Sequence, residues 1–104
     1  SESSLAVRSR VAVARQRAEE RGVRVNRHLR GAALEAWAPL HPAATAMLRD
    51  QLASGALTMR GAERVRAVAL TLSDLAGEEL PISPELLRLA LALRSGDVGT
   101  AASR

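Results

Sequence analysis

Between Thr58 and Gly77 lies one uninterrupted run, Met59–Ala76, whose apolar residues recur every three or four positions. That spacing belongs to an amphipathic helix and does not suit a strand. Thr58 is placed to cap its start and Gly77 to end it. Val65, Val68, Ala69, Leu72, Leu75 and Ala76 form the stripe expected to face a core. A helix of this length spans roughly 27 Å, about the width of a small domain, so everything else in the chain must pack around it.

The rest of the sequence supplies further helices and almost no strand-type alternation. A first helix is predicted from about Leu5 to Arg21, capped by Ser3 or Ser4 and stopped at Gly22, with Val7, Val11, Ala14 and Ala18 on one face. Glu19 and Glu20 lie within a turn of several of its arginines and are placed to neutralise part of their charge. Val23 to Gly31 reads as a connector with a turn at Asn26. A short helix near Ala32–Ala38 then carries Leu34 and Trp37. His41-Pro42 opens a third helix, proline being well tolerated at the first helical position. It runs to about Ser54, burying Ala44, Met47, Leu48 and Leu52, and Gly55 ends it. After the loop Glu78–Ile82, Ser83-Pro84-Glu85 gives a cap, a first-position proline and a first-turn acid. That last helix carries Leu86, Leu87, Ala90, Leu91 and Leu93 to about Arg94, and Ser95-Gly96 closes it. The expected fold is all-α, a bundle of four or five helices in one domain over residues 1–96, with residues 97–104 as a disordered tail.

Charge and composition exclude more than they assert. The net charge is +4, but all 15 basic residues are arginine, a bias that inflates the isoelectric point without implying a partner. Residues 1–30 hold eight Arg against three Glu, a balance of +5, while the remainder is at −1. A basic front is compatible with nucleic acid and equally with a solvated helix. Trp37 is the only aromatic residue, which removes the modules that stack bases on several exposed rings. Without cysteine there is no disulfide framework, thiolate nucleophile or cysteine zinc site. No apolar run approaches the roughly 20 residues of a membrane span. The N-terminus lacks a signal-type pattern, so no membrane association and a cytoplasmic location are expected.

Catalytic groupings are missing. His28 and His41 have no carboxylate or histidine at metal-ligand spacing and are expected as surface or capping residues, so no metal site is expected. Ser73-Asp74 lies inside a helix with no histidine base near it in sequence. No phosphate loop occurs, so the chain alone is not expected to be an enzyme. The informative stretch is Thr58-Met59-Arg60-Gly61-Ala62-Glu63-Arg64-Val65. Arg60 falls in the first turn of a capped helix, where free amides and the helix dipole favour an anion. Arg64 follows one turn later on the same face, and a guanidinium suits phosphate oxygens. The same spacing also fits two solvated arginines on the outside of a core helix.

These residues resemble the C-terminal helical domain of the magnesium-chelatase-like AAA+ ATPases, in particular the competence protein ComM group. Arg8-Ser9-Arg10-Val11 with Ala14-Arg15 is similar to that family's R-x-R-V-x-x-A-R opening, and Asn26, Leu29 and Gly31 to its connector. The fullest match runs from Thr58 through Thr71-Leu72-Ser73-Asp74-Leu75-Ala76-Gly77, where the family reads roughly S-x-R-G-x-x-R-V-x-R-V-A-R-T-I-A-D-L-x-G. Ile82, Glu85 and Ala90-Leu91-Ala92-Leu93-Arg94 resemble its last helix. The resemblance covers about residues 5–94. It implies a lid domain, cut or expressed apart from an upstream AAA+ core that binds ATP and Mg2+. Arg60 would be the sensor-2 arginine reaching the γ-phosphate, with Arg64 beside it at the nucleotide. The implied partners are that core and the neighbouring subunit of a hexamer, and the implied task is ATP-driven DNA branch migration. A true magnesium chelatase lid would serve metal insertion into a porphyrin instead.

The chain departs from the family at Ala62-Glu63, where Tyr-His is common, at Ala67 and Leu70, where arginines are usual, and at Leu93, where a tyrosine is common. Two missing basic positions weaken the expectation that this helix touches DNA. A reading of another class also stands. The Gly55-Ala56-Leu57-Thr58 turn joins two helices, and a recognition helix opening with Arg60 and Arg64 would suit a stand-alone helix-turn-helix module.

Overall fold

Each helix starts where a side chain can take up its first free amides. The computed structural model describes residues 3–22, 26 and 29–95. Its helices are α1 (Ser4–Glu20), α2 (Gly31–Trp37), α3 (Pro42–Ala53), α4 (Met59–Ala76) and α5 (Pro84–Ser95). Ser3 accepts from the amide of Ala6 at 3.1 Å, and His41 accepts through Nδ1 from Ala43 at 3.0 Å. Thr58 accepts from Gly61 at 3.0 Å and Ser83 from Leu86 at 3.2 Å. His41 is thus a capping histidine. His28, most of the connector and the segment 96–104 lie outside the described residues.

α4 is the axis of the bundle and packs against each of the other four helices, while α3 also meets α5. The core is built from Leu29, Leu34, Leu48, Leu57, Val65, Leu70, Ile82 and Leu87, with small alanines letting the helices approach closely. The α2–α3 and α4–α5 links are tied by two backbone bonds: Ile82 donates to Pro39 and His41 donates to Ile82. The loop before α5 is thereby fixed, with Ile82 fully buried at its end.

The buried face of α4 is wider than its apolar stripe and is rotated from it. Val65 and Ala69 are buried, but Val68 is 39% exposed and Ala76 lies at the surface. Ala62, Ala67, Leu70, Ser73 and Asp74 are buried in addition. Neighbours on several sides enclose α4, so one stripe cannot describe it. The structure also places three other apolar residues at the surface. Trp37 is 43% exposed at the end of α2, and only Leu34 of that helix reaches the core. In α1, Val7 stays 43% exposed and Ala18 alone is buried, because α1 is anchored by its last turns and its front half extends past that anchor. Leu93 points outward at 44% exposure.

That anchor is polar. Asp74, 2% exposed, accepts two 2.8 Å bonds from the guanidinium of Arg21 and a third, also 2.8 Å, from Nδ2 of Asn26. Asn26, itself buried, accepts from Arg21 at 2.8 Å and donates to Thr71 at 3.1 Å. Arg17 adds a looser ion pair at 3.6 Å. α1 and the connector are thus bolted to the last turns of α4, while Ser73 donates to the carbonyl of Glu78 and Gly77 adopts φ +70° to end the helix. Arg17 and Arg21 therefore turn to Asp74 across the bundle. Removing one partner of such a buried pair leaves the other charge uncompensated. Asp74→Ala is expected to cost about 3–5 kcal/mol in urea unfolding, whereas Arg17→Ala, at a longer and more exposed contact, should cost less than about 1 kcal/mol.

Candidate functional site

The first two turns of α4 differ from the last two in what they leave open. Thr58 takes the amide of Gly61, and the carbonyl of Thr58 takes that of Ala62. Among the described residues, the amides of Met59 and Arg60 have no protein acceptor. No acidic residue stands in this turn. Arg60 and Arg64 are both exposed, one helical turn apart, and no described carboxylate lies within ion-pair distance of either.

Glu63, between them in sequence, is occupied elsewhere: its Oε2 accepts from the amide of Gly31 at 3.2 Å. One turn later Arg66 donates from Nε to the carbonyl of Ala38 at 2.8 Å. α4 therefore holds both ends of α2, an acid at its N-terminus and a base at its C-terminus, as the helix dipole favours. Burial pulls the Arg66 guanidinium below its ordinary pKa, and nearby Glu35 opposes that pull. Glu63 and Arg66 line an open groove of about 530 Å³ between α2, α3 and α4, with Leu34, Leu48, Leu52 and Met59. That groove contains neither Arg60 nor Arg64.

Arg64 instead lines a second cleft, of about 470 Å³, between α4 and α5 with Val65, Val68, Ala90, Leu93 and Arg94. Arg94 is the residue that sequence reasoning missed. Its Nη2 lies 3.1 Å from where a Cβ on Gly61 would stand, so its guanidinium rests on the first turn of α4. The available signal was Gly61 itself, because glycine early in a helix costs about 0.5–1 kcal/mol against alanine unless something needs the space. Ala67 and Leu70, which stand where the resembled family usually has arginines, are both buried in the core and form no part of a surface. Among the described residues no three metal-ligating side chains come together.

The described residues thus form an all-helical bundle with exposed arginines at the head of its central helix. Residues 1–94 match the family described as magnesium chelatase, subunit ChlI C-terminal, and the chain belongs to that family. It is 38% identical over 104 residues to the uncharacterized proteins Rv2897c of Mycobacterium tuberculosis and Mb2921c of Mycobacterium bovis. In each case the match takes in 94% of this chain and 20% of the relative, so the chain spans about a fifth of those proteins' length. No solved structure matches it significantly.

A side chain at Gly61 would press on the tip of Arg94 and, at 3.3 Å, on Cδ2 of Leu57. The Arg94 tip is flexible and yields cheaply, so the gain in helix propensity should win. Gly61→Ala is expected to raise Tm by about 2–4 °C, equivalent to about 0.5 kcal/mol in a domain of this size; a fall in Tm would mean that Leu57 cannot give way.

Proposed function

We propose that this domain is the nucleotide-sensing lid of a ring-forming AAA+ ATPase of the magnesium-chelatase-like group. In this reading an upstream core holds ATP and Mg2+, and the lid presents Arg60 to the γ-phosphate with Arg64 flanking it. The observation that carries it is the pair of exposed guanidinium groups on a capped helix start, with two open amides and no described carboxylate in reach. Charge of that kind, held on a rigid helix, is suited to a phosphate delivered by another domain.

The chain itself supplies no phosphate loop, so the domain acts as part of an ATPase and not as an enzyme alone. Because α4 is braced along its length by four helices, hydrolysis would displace the lid as one body and pass that displacement to the neighbouring subunit of a hexamer. The task we assign to the ring is DNA branch migration of the ComM type, in the cytoplasm. Insertion of a metal into a porphyrin, the task of a true magnesium chelatase, is the second reading, favoured by the description of the matching family. A stand-alone helix-turn-helix role fits less well, since α4 is enclosed by the other helices and offers chiefly its first turns to a groove.

In the full-length protein Arg60→Ala is expected to lower ATP turnover at least a hundredfold while changing Tm by less than about 2 °C, the side chain being exposed. Turnover that survives the substitution would remove Arg60 from the nucleotide. Stimulation of that turnover by branched DNA, weakening steeply with salt, supports the branch-migration task, whereas stimulation by a porphyrin substrate alone would replace it.

A further inference from the structure

The front half of α1 has no part in the reading above. Every residue from Ser3 to Arg10 is exposed, and burial begins only at Val11 and Ala14. Leu5 stands 73% exposed, with Val7 and Val13 open as well. Helices in proteins draw most of their stability from a packed face, and these first turns have none within the chain. From Ser3 to Gln16 the sequence carries three arginines and no acid. Leu5, Arg8, Ala12 and Arg15 follow one another at intervals of three and four, so one side of the helix is both apolar and cationic.

The inverse character gathers at the other end of the same helix. Trp37 and Leu80, both large apolar side chains left exposed, line a cleft of about 310 Å³ with Glu20, Glu78 and Glu79. Arg17, Arg21 and Asp74 complete its charges, two cations against four acids. Those two arginines already pair with Asp74, whereas no described guanidinium lies within ion-pair distance of Glu20, Glu78 or Glu79. The cleft is an apolar floor with an acidic rim. An exposed indole beside carboxylates attracts a guanidinium both through the ring face and by ion pairing. One chain cannot bring these two surfaces together. Leu5 lies 15 residues before Glu20, about 22 Å along a continuous helix at 1.5 Å per residue, and Glu20 itself borders the cleft.

We propose that the front half of α1 docks on the Trp37–Leu80 cleft of a second copy of this chain, Leu5 on the apolar floor and the arginines that follow it facing the acids. The two surfaces differ, so the contact is head-to-tail and repeats from copy to copy, closing into a ring where the rotation between copies allows. Arg60 and the nucleotide play no part in it, so it stands or falls apart from the function proposed above.

The test is disulfide trapping between copies of the full-length protein, in a background free of other cysteines; this chain has none. Leu5→Cys and Leu80→Cys are made as separate proteins, mixed and oxidised. A disulfide needs Cα atoms within about 7 Å, so the mixed dimer reports this contact. Its yield is expected to exceed, at least about tenfold, that of either variant alone and that of Leu5→Cys mixed with Ser54→Cys, an exposed position after α3. Glu78→Arg with Glu79→Arg in the Leu80→Cys protein should cut the yield about fivefold, and Arg8→Glu with Arg15→Glu in its partner should restore most of it. Arg60→Ala should leave the yield unchanged. A yield no higher than the Ser54→Cys control overturns the proposal. Self-trapping of Leu5→Cys as strong as in the mixture would mean a symmetric contact between α1 helices, and overturns it too. A mixed yield that ignores the charge reversals would remove the complementarity, and the docking with it. The trapping comparison itself needs no charge reversal, so a reversed variant that fails to fold leaves it decisive.

Discussion

A carboxylate buried to 2% exposure is costly to any fold unless every oxygen is answered, and in this domain the answer dictates the layout. Asp74 near the end of α4 can be satisfied only if Arg21 arrives from α1 and Asn26 from the connector. That requirement sets where α1 ends and which face of α4 is covered at its C-terminal end. Arg21 bonds both Asp74 and Asn26, so the three residues form a closed unit in which each fixes the geometry of the other two. An apolar contact of similar size would hold α1 against α4 without specifying its rotation or register.

The same helix is used differently along its length. Its last turns are committed to the polar knot and its middle grips α2 through Glu63 and Arg66. At its start, the amides of Met59 and Arg60 and the side chains of Arg60 and Arg64 have no partner among the described residues. This division explains why the charge total was a poor guide. Of the eight arginines that make residues 1–30 basic, Arg17 and Arg21 serve an internal carboxylate, which removes part of what looked like a nucleic-acid surface. Arg60 and Arg64, the arginines we propose for the nucleotide, come from the part of the chain whose net charge is slightly negative.

What could be read in the sequence was whatever depends on neighbours three or four residues away. Ser3, His41-Pro42, Thr58, Gly77 and Ser83 are cap signals of that kind, and each marks a helix end in the structure. What could not be read depends on partners far apart. Asn26 and Asp74 are separated by 48 residues, and alone each resembles an ordinary turn or surface residue. The burial of Leu70 and the exposure of Val68 follow from helices present on several sides of α4, which no periodicity within α4 reports. At the site, Arg60 and Arg64 were visible because they share one helix. Arg94 was not, because it reaches the same turn from α5.

Separating the scaffold from the site along one helix has a mechanical consequence. A lid of the kind we propose must hold its shape while the charge at its working edge is neutralised and released in each cycle. If the knot and the basic edge overlapped, each change in phosphate charge would also change the forces holding α1. Here they lie toward opposite ends of α4, Arg60 and Asp74 being 14 residues or about 21 Å apart at 1.5 Å per residue, beyond a screening length of roughly 8–10 Å. On our proposal, charge neutralised at Arg60 would leave the Asp74 pairing little disturbed, and a displacement of the edge would be carried by α4 and α5, which pack together. In the reading we propose, a local electrostatic event at one end of α4 would move the whole body, because among the described residues one continuous helix joins the two ends.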